Sequence, residues 1–257
     1  MDPLTPPSPG LLLTLIGNDP RLAAAAAGAG VGRVLVDLEK RDKAQRQRSQ
    51  GLFLSEHNWA DVTALRSVLP QGALFVRLDP LHHGTAEQIE RALGLGADGL
   101  MLPYFTAAEA IFRFIDFVAG RCVIVPLIET SGAVRELPAM LASGSVQEFH
   151  VGLNDLALDL GLGSLNELWG APILEEIAAA AHGAGIPFGV GGVTDPRMQR
   201  LPINPAWVIA EQRRLGSTRA LLGRSFRRRF EQALDDAALA EAVEAIQAAY
   251  RAASARH

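Results

Sequence analysis

A single (β/α)₈ barrel is the fold this sequence predicts, and three observations predict it. The chain has 257 residues, close to the roughly 250 typical of that fold. Short apolar runs alternate with longer amphipathic segments from end to end. The apolar runs are continuous stretches of Val, Ile and Leu rather than alternating ones, as in parallel strands covered on both faces. Eight such units favour a closed barrel over the alternative, a doubly wound open sheet.

The expected strands are Leu11–Gly17, Arg33–Glu39, Ala73–Asp79, Gly99–Phe105, Val123–Glu129, Glu148–Asp155, Pro187–Val193 and Arg219–Phe226. Helical patterns lie between them, for example Ala86–Leu93 and Ala107–Val118. Gly94, Gly120 and Gly185 stand where left-handed helix caps belong. Pro3–Pro9 reads as part of an extended lead-in over residues 1–10. The Ala-rich stretch over residues 231–257 reads as an extra C-terminal helical segment, whose apolar stripe either caps the barrel or packs on another copy. No linker or composition break divides the chain, so residues 1–257 form one domain.

Hydrophobic residues make up 49% of the chain and charged ones 20%, a balance that supplies a large core. A net charge of −4 offers no general attraction to nucleic acid or to an anionic membrane. The run Leu11–Ile16 has no positive charge before it and ends in Gly17-Asn18-Asp19-Pro20. It therefore reads as a first strand and not a signal peptide. No apolar stretch is long enough to cross a bilayer, and a cytoplasmic protein is expected. The lone cysteine, Cys122, excludes a disulfide framework and a four-cysteine zinc site. It lies in the run Cys122-Val123-Ile124-Val125, where a buried, inert thiol is expected.

The candidate chemistry gathers at strand C-terminal ends. Strand two ends in Asp37-Leu38-Glu39, strand three in Arg77-Leu78-Asp79, strand five in Ile128-Glu129, and strand six in Asn154-Asp155. In a (β/α)₈ barrel these ends meet at the mouth where active sites are built. A single charge there would read as the start of a solvated loop. Four strands ending alike point to a shared site, because buried charges need partners or a metal. Oxygen-only donors suit Mg²⁺ or Mn²⁺, and no histidine pair has zinc-ligand spacing. Such a cation, chelated by a 2-oxo acid, stabilises an enolate, with Arg77 as a second positive group.

These residues also carry a resemblance. Val125-Pro126-Leu127-Ile128-Glu129-Thr130 and Val151-Gly152-Leu153-Asn154-Asp155-Leu156-Ala157 resemble the HpcH/HpaI aldolase and citrate lyase family. Val36-Asp37-Leu38-Glu39, Val76-Arg77-Leu78-Asp79-Pro80 and Gly96–Pro103 add to it, in order, across roughly Val34 to Phe226. The resemblance implies a barrel that makes or breaks carbon–carbon bonds beside a carboxylate or thioester through an enolate. It implies that Glu129 and Asp155 ligate Mg²⁺ or Mn²⁺ and that Arg77 holds substrate oxygens. Backbone amides around Gly152, Asn154 and Asp155 would seat the substrate carboxylate, and Asp37 and Glu39 match acidic supporting positions. It also implies homo-oligomers that exchange C-terminal helices.

One position departs from the family. Lys40 stands where pyruvate-class aldolases carry a catalytic histidine and citrate-lyase-type members commonly an aspartate. Three roles stay open for it: a base with a depressed pKa, a binder of substrate carboxylate or phosphate, or a partner of Glu39. His82 and His83, after strand three, are substitute bases or solvated loop histidines. Lys40 and Lys43 are the only lysines. Lys43 falls on the following loop or helix, so a Schiff-base mechanism could use only Lys40.

Three weaker signals remain. Gly189-Val190-Gly191-Gly192 reads as close packing at the mouth, and Arg224–Arg229 as a solvated helix start or an anion-binding run. His150, counted back from Asp155 by strand alternation, is expected to face a helix. The leading expectation is a metal-dependent aldolase-type lyase acting on a small 2-oxo acid. The runner-up is a citrate-lyase-type enzyme acting on an acyl-CoA thioester such as malyl- or citramalyl-CoA. A third reading is a non-catalytic ligand-binding barrel.

Overall fold

The computed structural model describes residues 10–41 and 55–253. The strands are β1 (Leu12–Ile16), β2 (Arg33–Asp37), β3 (Leu74–Arg77), β4 (Gly99–Leu102), β5 (Val123–Ile128), β6 (Phe149–Val151), β7 (Phe188–Val193) and β8 (Arg219–Leu222). Each pairs in parallel with the next, and β8 returns to β1. The sheet is closed, which excludes the open doubly wound alternative.

Eleven helices are seen among the described residues: α1 (Pro20–Gly28), α2 (Trp59–Arg66), α3 (Thr85–Gly94), α4 (Ala108–Val118), α5 (Ser131–Ala142), α6 (Leu153–Asp159), α7 (Leu165–Trp169), α8 (Ile173–Ala184), α9 (Pro205–Leu215), α10 (Arg224–Gln232) and α11 (Asp236–Ala252). Their starts follow from local chemistry. Asp19 caps α1 and Asn204 caps α9, each followed by a proline whose missing N–H costs the helix nothing. Asn58 and Asp61 form a reciprocal capping box on α2. None of these helices is long and apolar enough to cross a membrane.

Strand alternation divides the apolar residues into two cores. Val34, Val36, Val76, Leu100 and Val151 point outward into the layer beneath the helices. Leu35, Phe75, Met101, Val125 and Leu127 fill the barrel interior. Large and small residues interlock there: a Cβ at Gly99 would come 2.1 Å from the Phe75 ring.

Below this layer lies a buried ionic network that the strand starts, Arg33, Glu148 and Arg219, bring together. Glu148 receives Arg33 through both Nη atoms and Arg219 through Nε at 3.1 Å. The Arg33 guanidinium also stacks over Phe75, 4.3 Å from the ring centroid. The interior is thus filled from below, and only its upper end is left open for chemistry.

Several expectations are corrected. Most strands stop two to four residues before the predicted end. Strand six ends at Val151, not Asp155, because α6 begins at Leu153; strand eight ends at Leu222, and Arg224–Arg229 lie on α10. Gly185 is a left-handed cap and Gly120 also has positive φ, but at the end of α3 that conformation falls on Gly96 rather than Gly94. Cys122 is only partly buried; burial pushes its thiol up to about 11, so it stays a thiol near neutral pH.

The C-terminal segment is one long helix after α10, and its apolar stripe covers its own barrel. Leu239, Ala242 and Ile246 are fully buried. Gln247 accepts from the Leu11 amide and donates to the Leu11 carbonyl, and the Tyr250 hydroxyl donates to the Ser217 carbonyl. Residues 1–9 of the lead-in, Lys43 and residues 254–257 lie outside the described residues.

Because Glu148 pairs with two buried arginines, Glu148→Ala should cost about 3–5 kcal/mol in urea denaturation. A loss below about 1 kcal/mol would show that the network does not hold the barrel floor.

Candidate active site

Asp37, at the end of β2, and Arg77, at the end of β3, are register partners. Arg77 Nε donates to Asp37 Oδ1 at 2.8 Å, and Nη2 donates to Oδ2 at 2.6 Å. Glu39 Oε2 lies 3.5 Å from the same Nε. Burial opposes the guanidinium charge, but Asp37 and then Glu39 outweigh it and raise the Arg77 pKa above its usual value. Two-point attachment fixes the plane of the guanidinium as well as its position.

Glu129 follows β5 and is 3% exposed. Its carboxyl is pushed up to about 8, first by burial, then by repulsion from Glu39 and Asp155. Arg77 and the Tyr104 amide oppose the rise. The Tyr104 N–H donates to Glu129 Oε1 at 2.8 Å from a backbone bent to φ 42°. That conformation costs a non-glycine residue about 1–3 kcal/mol. Thr130 anchors the next step: it caps α5 through Ala133 and donates its hydroxyl to the Phe105 carbonyl at 2.6 Å.

Asp155 reaches this place from α6, not from a strand. Gly152 is the N-cap and Asp155 lies in the first turn, where a negative charge is favoured and the first amides lack intrahelical acceptors. Gly152 is required by contact: a Cβ there would lie 2.5 Å from Glu129 Oε2 and 2.8 Å from its Cβ. The strand-five and strand-six motifs therefore work as one packing unit.

One cavity of about 510 Å³ joins these groups. Asp37, Arg77, Glu129, Gly152, Asn154 and Asp155 all line it. Glu39 supports it through Arg77. Lys40 and His82 are not among its lining residues. The Lys40 side chain is exposed, and its amide donates to Asp79 Oδ1 at 2.8 Å. Asp79 also takes the Arg41 amide and the Gln88 side chain. Burial would raise its pKa, but these three bonds win and lower it. Asp79 is thus a clamp on the loop after β2, and it does not line the cavity. His82 Nδ1 accepts from the Gly84 amide at 3.0 Å, and the ring meets exposed His83 edge-on.

His150 overturns its expectation. It pairs in register with Leu127, an interior residue, and so faces the barrel interior. Its Nε2 lies 2.9 Å from the Gly191 carbonyl, and a Cβ at Gly189 would come 2.2 Å from its Nδ1. Counting back from Asp155 fails because Asp155 belongs to a helix. Sequence reasoning also passed over His57, whose Nδ1 accepts from the Asp37 amide at 3.0 Å. It missed Tyr104 as well, which acts only through its backbone.

Among the described residues, no group of three or more His, Cys, Asp and Glu side chains is close enough to hold a metal alone. Glu129 and Asp155 are hard oxygen donors, and a cation would oppose the burial and the repulsion that together raise Glu129. Two carboxylates also match what Mg²⁺ or Mn²⁺ uses when water and substrate oxygens complete its shell. The donors fit the group.

The family model described as HpcH/HpaI aldolase/citrate lyase matches residues 11–190, which include all of these site residues. Among solved structures, the chain is similar to an HpcH/HpaI aldolase/citrate lyase family protein from Burkholderia cenocepacia J2315. Identity there is 18% over 89% of this chain and 95% of that one, with a TM-score of 0.65. It is also similar to protein CitE from Mycobacterium tuberculosis in complex with magnesium and pyruvate, at 17% identity over 94% and 91%, TM-score 0.63. Both likenesses show the barrel. The ribosome maturation factor RimM of Cereibacter sphaeroides is 31% identical over 108 residues, 38% of this chain. The chain spans 62% of the length of that curated relative.

The interior setting of His150 has a pH consequence. Burial lowers its pKa from 6.5 to about 4, so between these values the unfolded chain binds the extra proton and stability falls as pH falls. From pH 6.5 to 5 the loss should be about 1.5 kcal/mol. Urea midpoints for wild type and His150→Gln should converge on acidification; parallel curves would show that His150 does not titrate this way.

Proposed function

The chain belongs to the HpcH/HpaI aldolase/citrate lyase family, and we propose from this that it is a divalent-metal-dependent aldolase-type lyase acting on a 2-oxo acid through a pyruvate-like enolate. The observation that carries the reading is buried Glu129, set beside Asp155 and facing an arginine locked by Asp37 in the same cavity. Glu129 and Asp155 are the residues that would hold Mg²⁺ or Mn²⁺. The cation would supply Lewis acidity to the keto and carboxylate oxygens.

The chain's own residues supply the rest. Arg77 has Nε and Nη2 committed to Asp37, so its Nη1 edge is the one offered to a developing enolate oxygen. The first amides of α6, at Leu153, Asn154 and Asp155, would seat the substrate carboxylate. Asp37 and Glu39 keep Arg77 protonated and oriented. Lys40 and His82 stand outside the cavity lining, and neither is assigned the proton transfer. The setting proposed is the cytoplasm, with copies assembling as oligomers.

A second reading, an acyl-CoA thioester as substrate, is favoured by Arg224 and Arg227, which line the same cavity from α10. Saturable binding of acetyl-CoA, weakened at least ten-fold by Arg224→Gln, would select it.

The test of the first reading is exchange of pyruvate methyl protons with deuterated water, followed by proton NMR. Exchange should require Mg²⁺ or Mn²⁺ and stop on chelation. Glu129→Gln and Arg77→Ala should each slow it by about 10²–10³. Metal-independent exchange, or none with either cation, would refute the reading.

A further inference from the structure

The carboxylate and arginine end accounts for only part of the cavity. About 510 Å³ is the size that encloses a drug-sized ligand, several times what a three-carbon acid fills. Beside Arg224 and Arg227 of α10, much of the rest of the cavity wall is apolar. Trp169 of α7, Ile203 of the segment after β7, and Pro205 and Val208 of α9 line it. Ile203, Pro205 and Val208 fall beyond residue 190, where the family match ends.

Glycines contribute to this wall as well. Gly191 and Gly192 line it at the irregular stretch of β7, where the register with β8 shifts. A Cβ at Gly191 would come 2.3 Å from Leu153 Cδ1, and this residue holds φ +55°. The His150 ring, 2.9 Å from the Gly191 carbonyl, holds the stretch from inside the barrel. The missing side chain at Gly191 thus leaves room for Leu153, another apolar residue of the same wall.

We propose that this chamber binds the second reaction partner and that the partner is an aldehyde with an apolar chain or ring. The inference rests on the aldolase reading above. In the step it serves, pyruvate loses a methyl proton and the resulting enolate carbon attacks the aldehyde carbon. One carbon–carbon bond forms, and the carbonyl π pair moves to oxygen, which takes up a proton. The product is a 4-hydroxy-2-oxo acid, and no oxidant or reductant is needed. Apolar contact is the recognition: each methylene fully buried in the chamber contributes about a four-fold gain.

The test is a series of aldehydes with pyruvate and Mn²⁺: acetaldehyde, butanal, hexanal, benzaldehyde and succinic semialdehyde. We expect kcat/KM for hexanal and benzaldehyde to exceed that for acetaldehyde at least ten-fold, with succinic semialdehyde below hexanal. Ile203→Asn should cut the hexanal-to-acetaldehyde ratio at least three-fold and Ile203→Leu should preserve it. Each ratio is taken on one preparation, so it does not depend on the folded fraction. Equal rates along the series, or a preference for succinic semialdehyde, would overturn the apolar chamber. Pyruvate methyl exchange in the same wild-type preparation reads the enolate step alone. Exchange without chain-length preference defeats this inference and leaves the aldolase reading standing, while absence of exchange defeats both.

Discussion

Arg77 lies between Asp37 and Glu39 and within the field of Glu129, and the mouth of the barrel is organised around that cation. Carboxylates held out of water at one place repel each other and lose hydration, so they persist only with positive charge among them. Arg77 supplies one such charge and is spent mainly on Asp37. Glu129 keeps the imbalance, with its pKa pushed to about 8 by burial and by Glu39 and Asp155. A buried carboxyl in that position either keeps its proton near neutral pH or, in the function proposed above, gives it up to a cation.

The backbone is bent to serve that carboxylate. Tyr104 accepts a left-handed conformation to give Glu129 an amide, and Gly152 gives up a side chain to let it lie against the start of α6. Farther down, the apolar layer and the Arg33–Glu148–Arg219 network fill the barrel. The polar mouth therefore sits on a packed, ion-paired floor.

Much of this was legible in the sequence because barrel geometry converts strand ends into neighbours. Asp37, Arg77 and Glu129 each close an apolar run, and each lines the cavity as expected. Asp155 was located for a partly wrong reason: its run continues past Val151 into α6, and apolar residues at the start of a buried helix look like more strand. The same error turned His150 outward. Asp79 shares the strand-end pattern but spends its charge on the backbone of Lys40 and Arg41, a use that no side-chain pattern announces. Tyr104 was illegible because it acts through its amide, and His57 because a loop histidine carries no periodic signal. The ionic floor was visible only as charges at strand starts, without the closure that makes them partners.

The most direct measurement is a crystal structure grown with Mn²⁺ and oxalate, an enolate mimic, with anomalous scattering recorded at the manganese edge. The account predicts one strong anomalous peak held by Glu129 and Asp155, with oxalate beside the Nη1 edge of Arg77. A peak bound elsewhere, or no peak between those two carboxylates, would contradict it.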